Sequence, residues 1–236
     1  MGATSMLLFN QVVGQASASE LANLCALSDS ADLSQRRRFS QSSDADLDKA
    51  LIAELKHILE IIPVNPGFQY IEERRPNSAA MELTVVPGTK GTVLIGINLV
   101  KALMKEENGG AAVAGVCAHE CGHIYQYFSE IWRELSGDDT IIKELHADLI
   151  AGYYMGRRKT WTADRVKLFS RALLGLGGNV QFGDPTPIPS SHGTSDQRNR
   201  AMTKGYALAN KGMSFNQAAA SGVEYVREII AVPSEN

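Results

Sequence analysis

The chain has 236 residues, 44% of them hydrophobic and 21% charged, with a formal net charge of −3. That length exceeds one average domain and falls short of two, which points to a single core with helical appendages. The mild acidity argues against a basic surface for phosphate backbones, so nucleic acid is not an expected partner, and no run approaches the ~18 apolar residues that a membrane span needs.

In chain order, Met6-Leu7-Leu8-Phe9 ahead of Ala16-Ser17-Ala18 has a faint signal-peptide look, but a basic n-region is missing and Asn10-Gln11 interrupt the apolar run. The expectation is a soluble protein, cytoplasmic if Met1 is native and periplasmic or secreted if a signal peptide was removed. Residues 17–27 can form a short helix, and residues 28–46 are Ser/Asp/Gln-rich and carry Arg36-Arg37-Arg38. Such a charge run reads as a solvated linker, with a processing site as the sharper alternative. Residues 1–43 are therefore separated, as an N-terminal helix, linker and candidate pro-segment, from a folded domain over 44–236.

Over residues 46–62 the spacing of Leu47, Leu51, Ile52, Leu55, Ile58, Leu59 and Ile62 is helical, and Pro63 with Pro66-Gly67 ends the helix. His57 within it is expected at the solvent edge. Residues 68–72, 80–86 and 92–97 read as strands divided by Pro76-Asn77 and Pro87-Gly88, giving a small, largely antiparallel sheet in a mainly helical α+β fold. Gly96 either admits a close backbone or marks a bulge. A helical stretch follows over residues 99–105.

The stretch from Ala111 to Ile124 is small or apolar at nearly every position, which predicts a buried central helix, and His119-Glu120-Cys121-Gly122-His123 interrupts it with polar groups that need partners. Two histidines four apart lie about 40° apart around a helix, so both rings can face one ion. This is the H-E-x-x-H arrangement, in which two neutral imidazoles bind zinc and the intervening Glu takes a proton from the metal-bound water. Cys117 and Cys121 share a face of that helix and are read as small packing residues; with Cys25 they make three, an odd count without a disulfide pattern.

Further on, residues 138–152 form a second helix-like stretch that begins with Asp138-Asp139 and holds Glu144 and Asp148, again four apart. A catalytic zinc with two His needs a third protein ligand, which Glu144 can supply, while Asp148 accepts the free N–H of a zinc histidine. His146, two residues from Glu144, falls on the far side of the helix and is expected capped or exposed rather than bound to metal. Ser129 stands ten positions after His119, where the metzincin pattern requires a third His.

His119-Glu120-Cys121-Gly122-His123 followed by Glu144-x-x-Ala147-Asp148-x-x-Ala151-Gly152 resembles the gluzincin metallopeptidases, in particular the M48 family of HtpX- and Ste24-type proteases. The segment from His192 to Arg198 is similar to that family's H-P-x-x-x-x-R, with Gly193 in place of proline. The matches run from about residue 92 to about residue 202. The resemblance implies a zincin-like peptidase domain over 44–236 with one zinc on His119, His123 and Glu144, Glu120 as general base, and Asp148 behind the ligands. It also implies that His192 and Arg198 lie near the substrate, holding or stabilising the oxyanion, and that the strand over 92–97 lines the cleft with a free edge. The implied activity is hydrolysis of internal bonds of a protein or peptide. The rival reading is a non-catalytic or latent zinc-binding regulator whose fourth zinc position is blocked. Downstream, residues 162–176 are expected as a helix, 175–189 as a Pro/Gly-rich rim or lid, and 194–211 and 215–230 as terminal helices.

Overall fold

The computed structural model of the protein describes residues 36–74, 76–105, 109–135, 140–158 and 192–231. The expected helices over 17–27 and 162–176, the rim over 175–189, the Asp138-Asp139 start and Cys25 lie outside these residues. Within them the fold is mixed α+β and mostly helical, with a four-stranded sheet. No helix of the described residues is long and apolar enough to cross a membrane.

Helix α1 (Ala45–Ile61) starts where the Asp44 carboxylate accepts the amides of Asp46 and Leu47, both at 3.0 Å, satisfying donors that the first turn cannot pair. It buries Leu51, Leu55 and Ile58, one stripe at helical spacing. Pro63 forces the preceding Ile62 into an extended conformation (φ −97°, ψ 117°), and the helix stops there. His57 is exposed beside Glu60, as its position predicts.

The sheet comprises β1 (Arg38–Phe39), β2 (Gly67–Ile71), β3 (Ser78–Met81) and β4 (Thr92–Gly96), in spatial order β1-β2-β4-β3. Two of the pairings are antiparallel, whereas β2 and β4 run parallel with Phe68 opposite Val93 and Tyr70 opposite Ile95. Three sequence expectations change here. The strand expected over 80–86 ends at Met81, because Thr side chains replace the ladder: the Thr92 hydroxyl donates to the Leu83 carbonyl at 2.7 Å and accepts the Val85 amide at 3.1 Å, and Thr84 accepts the Gly91 amide at 3.0 Å. The strand expected as the free edge is β4, which instead lies between β2 and β3 with all five residues buried; β1 and β3 are the edges among the described residues. Gly96 neither admits a substrate nor bulges, since a Cβ there would land on the carboxyl group of Glu73. That buried carboxylate accepts the Leu99 amide at 2.7 Å and the Asn98 amide at 3.3 Å at the start of α2 (Ile97–Leu103), a negative charge on the positive end of a helix. Within the stretch read as linker, Arg38–Phe39 form β1, and the Phe39 ring stacks 6.5 Å from that of Tyr70.

Helix α3 (Gly109–Phe128) runs through the core and is buried along most of its length. A short α4 (Ile131–Glu134) follows, then α5 (Thr140–Arg157), α6 (Ser195–Asn210) and α7 (Phe215–Ala231). Thr194 caps α6 in a reciprocal box with Gln197. Helices α5 and α6 cross backbone to backbone: a methyl added at Gly152 would overlap the Met202 carbonyl, and one at Gly205 would overlap the Leu149 carbonyl. Gly122 gives α3 a similar approach to α5, where an added Cβ would stand 3.1 Å from the Ala147 Cα. These small-residue crossings bring the polar residues of α3, α5 and α6 within reach of one another.

Candidate metal centre

His119 and His123 sit one turn apart on α3, and Gly122 between them lets α5 close over the helix so that Glu144 reaches both rings. Among the described residues, His119, His123 and Glu144 form a buried group whose ligand atoms all lie within 4.8 Å of one another and could hold a metal ion. The two Nε2 atoms are 3.1 Å apart, and Glu144 oxygens lie 3.4 Å from each of them. A tetrahedral ion with bonds of about 2.0–2.1 Å places its donors about 3.3–3.4 Å apart. Charge-assisted hydrogen bonds would instead draw the carboxylate to about 2.7–2.9 Å, so the spacing fits an ion better than direct pairing.

Behind the donors, each ring is held from its other nitrogen. His119 Nδ1 donates to Asp148 Oδ1 at 2.8 Å. Asp148 in turn accepts Arg198 through Nε at 2.7 Å and Nη2 at 2.9 Å. His123 Nδ1 lies 3.0 Å from Gln126 Oε1. These contacts fix ring orientation and tautomer, as outer partners of metal-binding histidines do.

Burial disfavours charge throughout the group, but here it is overcome. The carboxylates of Asp148 and Glu144 push His119 up to about 10, and Glu144 raises His123. Conversely, the His123, His119 and His192 rings hold Glu144 well below the usual carboxylate range, and Arg198 with His119 depresses Asp148. Without a metal the His119 imidazole thus holds a proton that an incoming ion must displace. Burial drives the Cys117 and Cys121 thiols upward instead, so both remain protonated packing groups, as expected of them.

Glu120, beside His119, is buried next to the group, and the Ser78 hydroxyl on edge strand β3 donates to its Oε1 at 2.6 Å. His192 Nδ1 donates to Glu144 Oε2 at 2.8 Å, and its side chain is 19% exposed. The turn after it explains the departure from the H-P pattern: Gly193 has φ +89°, which proline, locked near −65°, cannot adopt. Arg198 differs from its expected role. Its guanidinium is 3% exposed and turned onto Asp148, behind His119 rather than toward an oxyanion.

Three residues of this neighbourhood were not singled out by the sequence in these roles: Ser78, Gln126 and His146. His146 is fully buried, not exposed, with Nε2 3.0 Å from the Ala219 carbonyl and Nδ1 3.1 Å from Gln126 Nε2. Burial holds its pKa down to about 4. The available signal was a polar residue in a helix with no polar face: Gln126 lies seven residues after His119, on the same side of α3. Compared with known proteins, the chain matches no protein-family model, no curated protein and no solved structure.

Proposed function

We propose that the chain is a zinc-dependent metalloendopeptidase of the gluzincin type, similar to the M48 peptidases, that hydrolyses internal peptide bonds of a protein or peptide. The observation that carries the reading is the buried Glu120 beside His119 and His123 on α3, with the Glu144 donor brought to both rings from α5. Two nitrogens and one carboxylate suit zinc and leave room for a fourth, non-protein ligand.

When bound, zinc would polarise the scissile carbonyl and acidify the attacking water. The chain's own residues supply the rest. Glu120 accepts the proton and returns it to the leaving amine, and the hydrogen bond from Ser78 to Oε1 holds its carboxylate in place. Asp148, anchored by Arg198, holds the His119 ring. His192, at the rim of the group, supports the oxyanion once a substrate is seated.

Purified protein should carry about one zinc per chain and cleave members of a peptide library. Glu120→Gln should keep the metal and lose nearly all turnover. Wild-type activity in that variant would overturn the assigned base.

A second reading rests on the contact between His192 and Glu144: a latent or regulatory zinc protein in which this ring blocks the fourth position. The two readings assign opposite signs to the loss of His192.

A further inference from the structure

We infer that Gln126 and His146 act as positioning residues, a buried relay of fixed polarity that holds His123 in the tautomer whose Nε2 lone pair faces the metal group. The inference rests on the metal-site reading above.

The polarity follows from two backbone carbonyls that can only accept. The first, Ala219 on α7, lies 3.0 Å from His146 Nε2, so that nitrogen carries the hydrogen. In a neutral imidazole Nδ1 is then an acceptor. Gln126 Nε2 stands 3.1 Å from this Nδ1 and 2.8 Å from the second carbonyl, that of Lys143. Both neighbours accept, so the amide NH₂ group must occupy this position and spend its two hydrogens there. The amide oxygen is left facing His123 Nδ1 at 3.0 Å, and that nitrogen must donate. The lone pair of His123 therefore sits on Nε2, the atom 3.1 Å from His119 Nε2 and 3.4 Å from Glu144.

Reversing the amide would set its oxygen against the Lys143 carbonyl and the His146 lone pair, losing both bonds and leaving NH₂ facing His123. All the side chains of the relay are buried, so water cannot repair such a loss. The two zinc histidines are thus supported differently: an anion braced by Arg198 stands behind His119, and a neutral amide stands behind His123. The relay also ties the docking of α7, through Ala219, to the donor geometry on α3.

The test uses the full chain and zinc ions alone. Gln126→Met, close in length but unable to accept from Nδ1, should weaken zinc binding about 10–100-fold in competition with a chromogenic chelator, the range for lost outer partners of metal ligands. His146→Leu should weaken it in the same direction by a smaller factor, since the Lys143 carbonyl still orients the amide. Histidine-selective ¹⁵N spectra of the unaltered zinc-loaded protein should show His123 protonated at Nδ1 only and His146 at Nε2 only. A merely structural role for Gln126 would lower stability without moving the zinc dissociation constant of the folded variant. Folded Gln126→Met that binds zinc within twofold of the native chain overturns the inference, as does a His146 protonated at Nδ1. If the variant fails to fold, the tautomers of the unaltered protein decide. Failure of the native chain itself to bind zinc would instead remove the metal reading on which the relay depends.

Discussion

Gly205→Ala sets helix propensity against tertiary geometry and so tests whether the α5–α6 crossing supports the metal group. Within an exposed helix the exchange would stabilise by about 1 kcal/mol. In α6, however, the new methyl would overlap the Leu149 carbonyl oxygen and lie 2.7 Å from the Tyr153 amide nitrogen. Optimal non-bonded contact lies at about 3.5 Å, so clearing the Tyr153 nitrogen alone would part the helices by about 0.8 Å, and the nearer Leu149 carbonyl demands more. No flexible side chain can absorb this, because both obstacles are backbone. Overpacking of this kind costs about 1–3 kcal/mol, and we expect Gly205→Ala to lose stability within that range despite its better propensity. Arg198 is on the same helix, two turns earlier, and its bonds to Asp148 are 2.7 and 2.9 Å; a shift of that size would stretch them past ~3.2 Å. Zinc affinity should fall with stability. Urea unfolding of the metal-free protein and chelator competition read the two effects. Gly110→Ala is the control, since nothing lies within 4 Å of its added methyl, and it should be neutral or stabilising. If Gly205→Ala matched or exceeded the native stability, the backbone-contact argument would fail, and with it the claim that this crossing fixes Asp148.

Asp148→Ala should weaken zinc binding about 10–100-fold by releasing the His119 ring, and Glu144→Ala should weaken it further; an unchanged affinity in Asp148→Ala would reduce that carboxylate to a structural anchor. His192→Ala should lower turnover by on the order of 10²–10³ if the ring supports an oxyanion, and a rise in peptide cleavage would favour the latent reading. For pH, folding lowers His146 from 6.5 to about 4, so the unfolded chain takes up a proton that the folded one refuses. Its contribution is therefore full above pH 6.5 and is lost as pH falls toward 4, about 3 kcal/mol for a difference of ~2.5 at ~1.36 kcal/mol per pKa unit. Urea titrations of metal-free native protein and His146→Leu at several pH values in that interval isolate the loss, and identical slopes in the two would refute it.

Most helices were legible because each carries its own period. Leu51, Leu55 and Ile58 define a stripe on α1, and Pro63 ends it by local chemistry alone. Sheet order was less accessible. The β2–β4 pair is parallel and joins residues 25 apart, Gly67 with Thr92, and nothing in either strand's alternation specifies such a non-local partner. The consequence is a reversal of edge and centre: Val93-Leu94-Ile95 is an unbroken apolar run, the pattern of a strand covered on both faces, yet its free edge is implied by resemblance alone. The β1 strand has only Arg38 and Phe39, too few for a period to show within a polar stretch.

At the metal group, spacing within a helix carried the sequence reading and spacing between helices limited it. His119 with His123, and Glu144 with Asp148, each share a face because four residues make about one turn, and the fold brings those two faces together. The same angular argument correctly kept His146 away from the donors, but it could not say what covers the opposite face. That face meets α7 instead of solvent, so a histidine expected as capped or exposed is the buried end of a relay. Arg198 shows the same limit from the other side: its offset from His192 was read, but its direction depends on how closely α6 crosses α5, which Gly152 and Gly205 determine. An angle on a helix therefore predicts which residues can act together, while the glycines of the neighbouring helices decide which of those faces are in contact. In a helix without a polar face, burial adds the missing constraint: once Gln126 is inside, its amide must find two acceptors and a donor, and His146, Lys143 and His123 are the groups within reach.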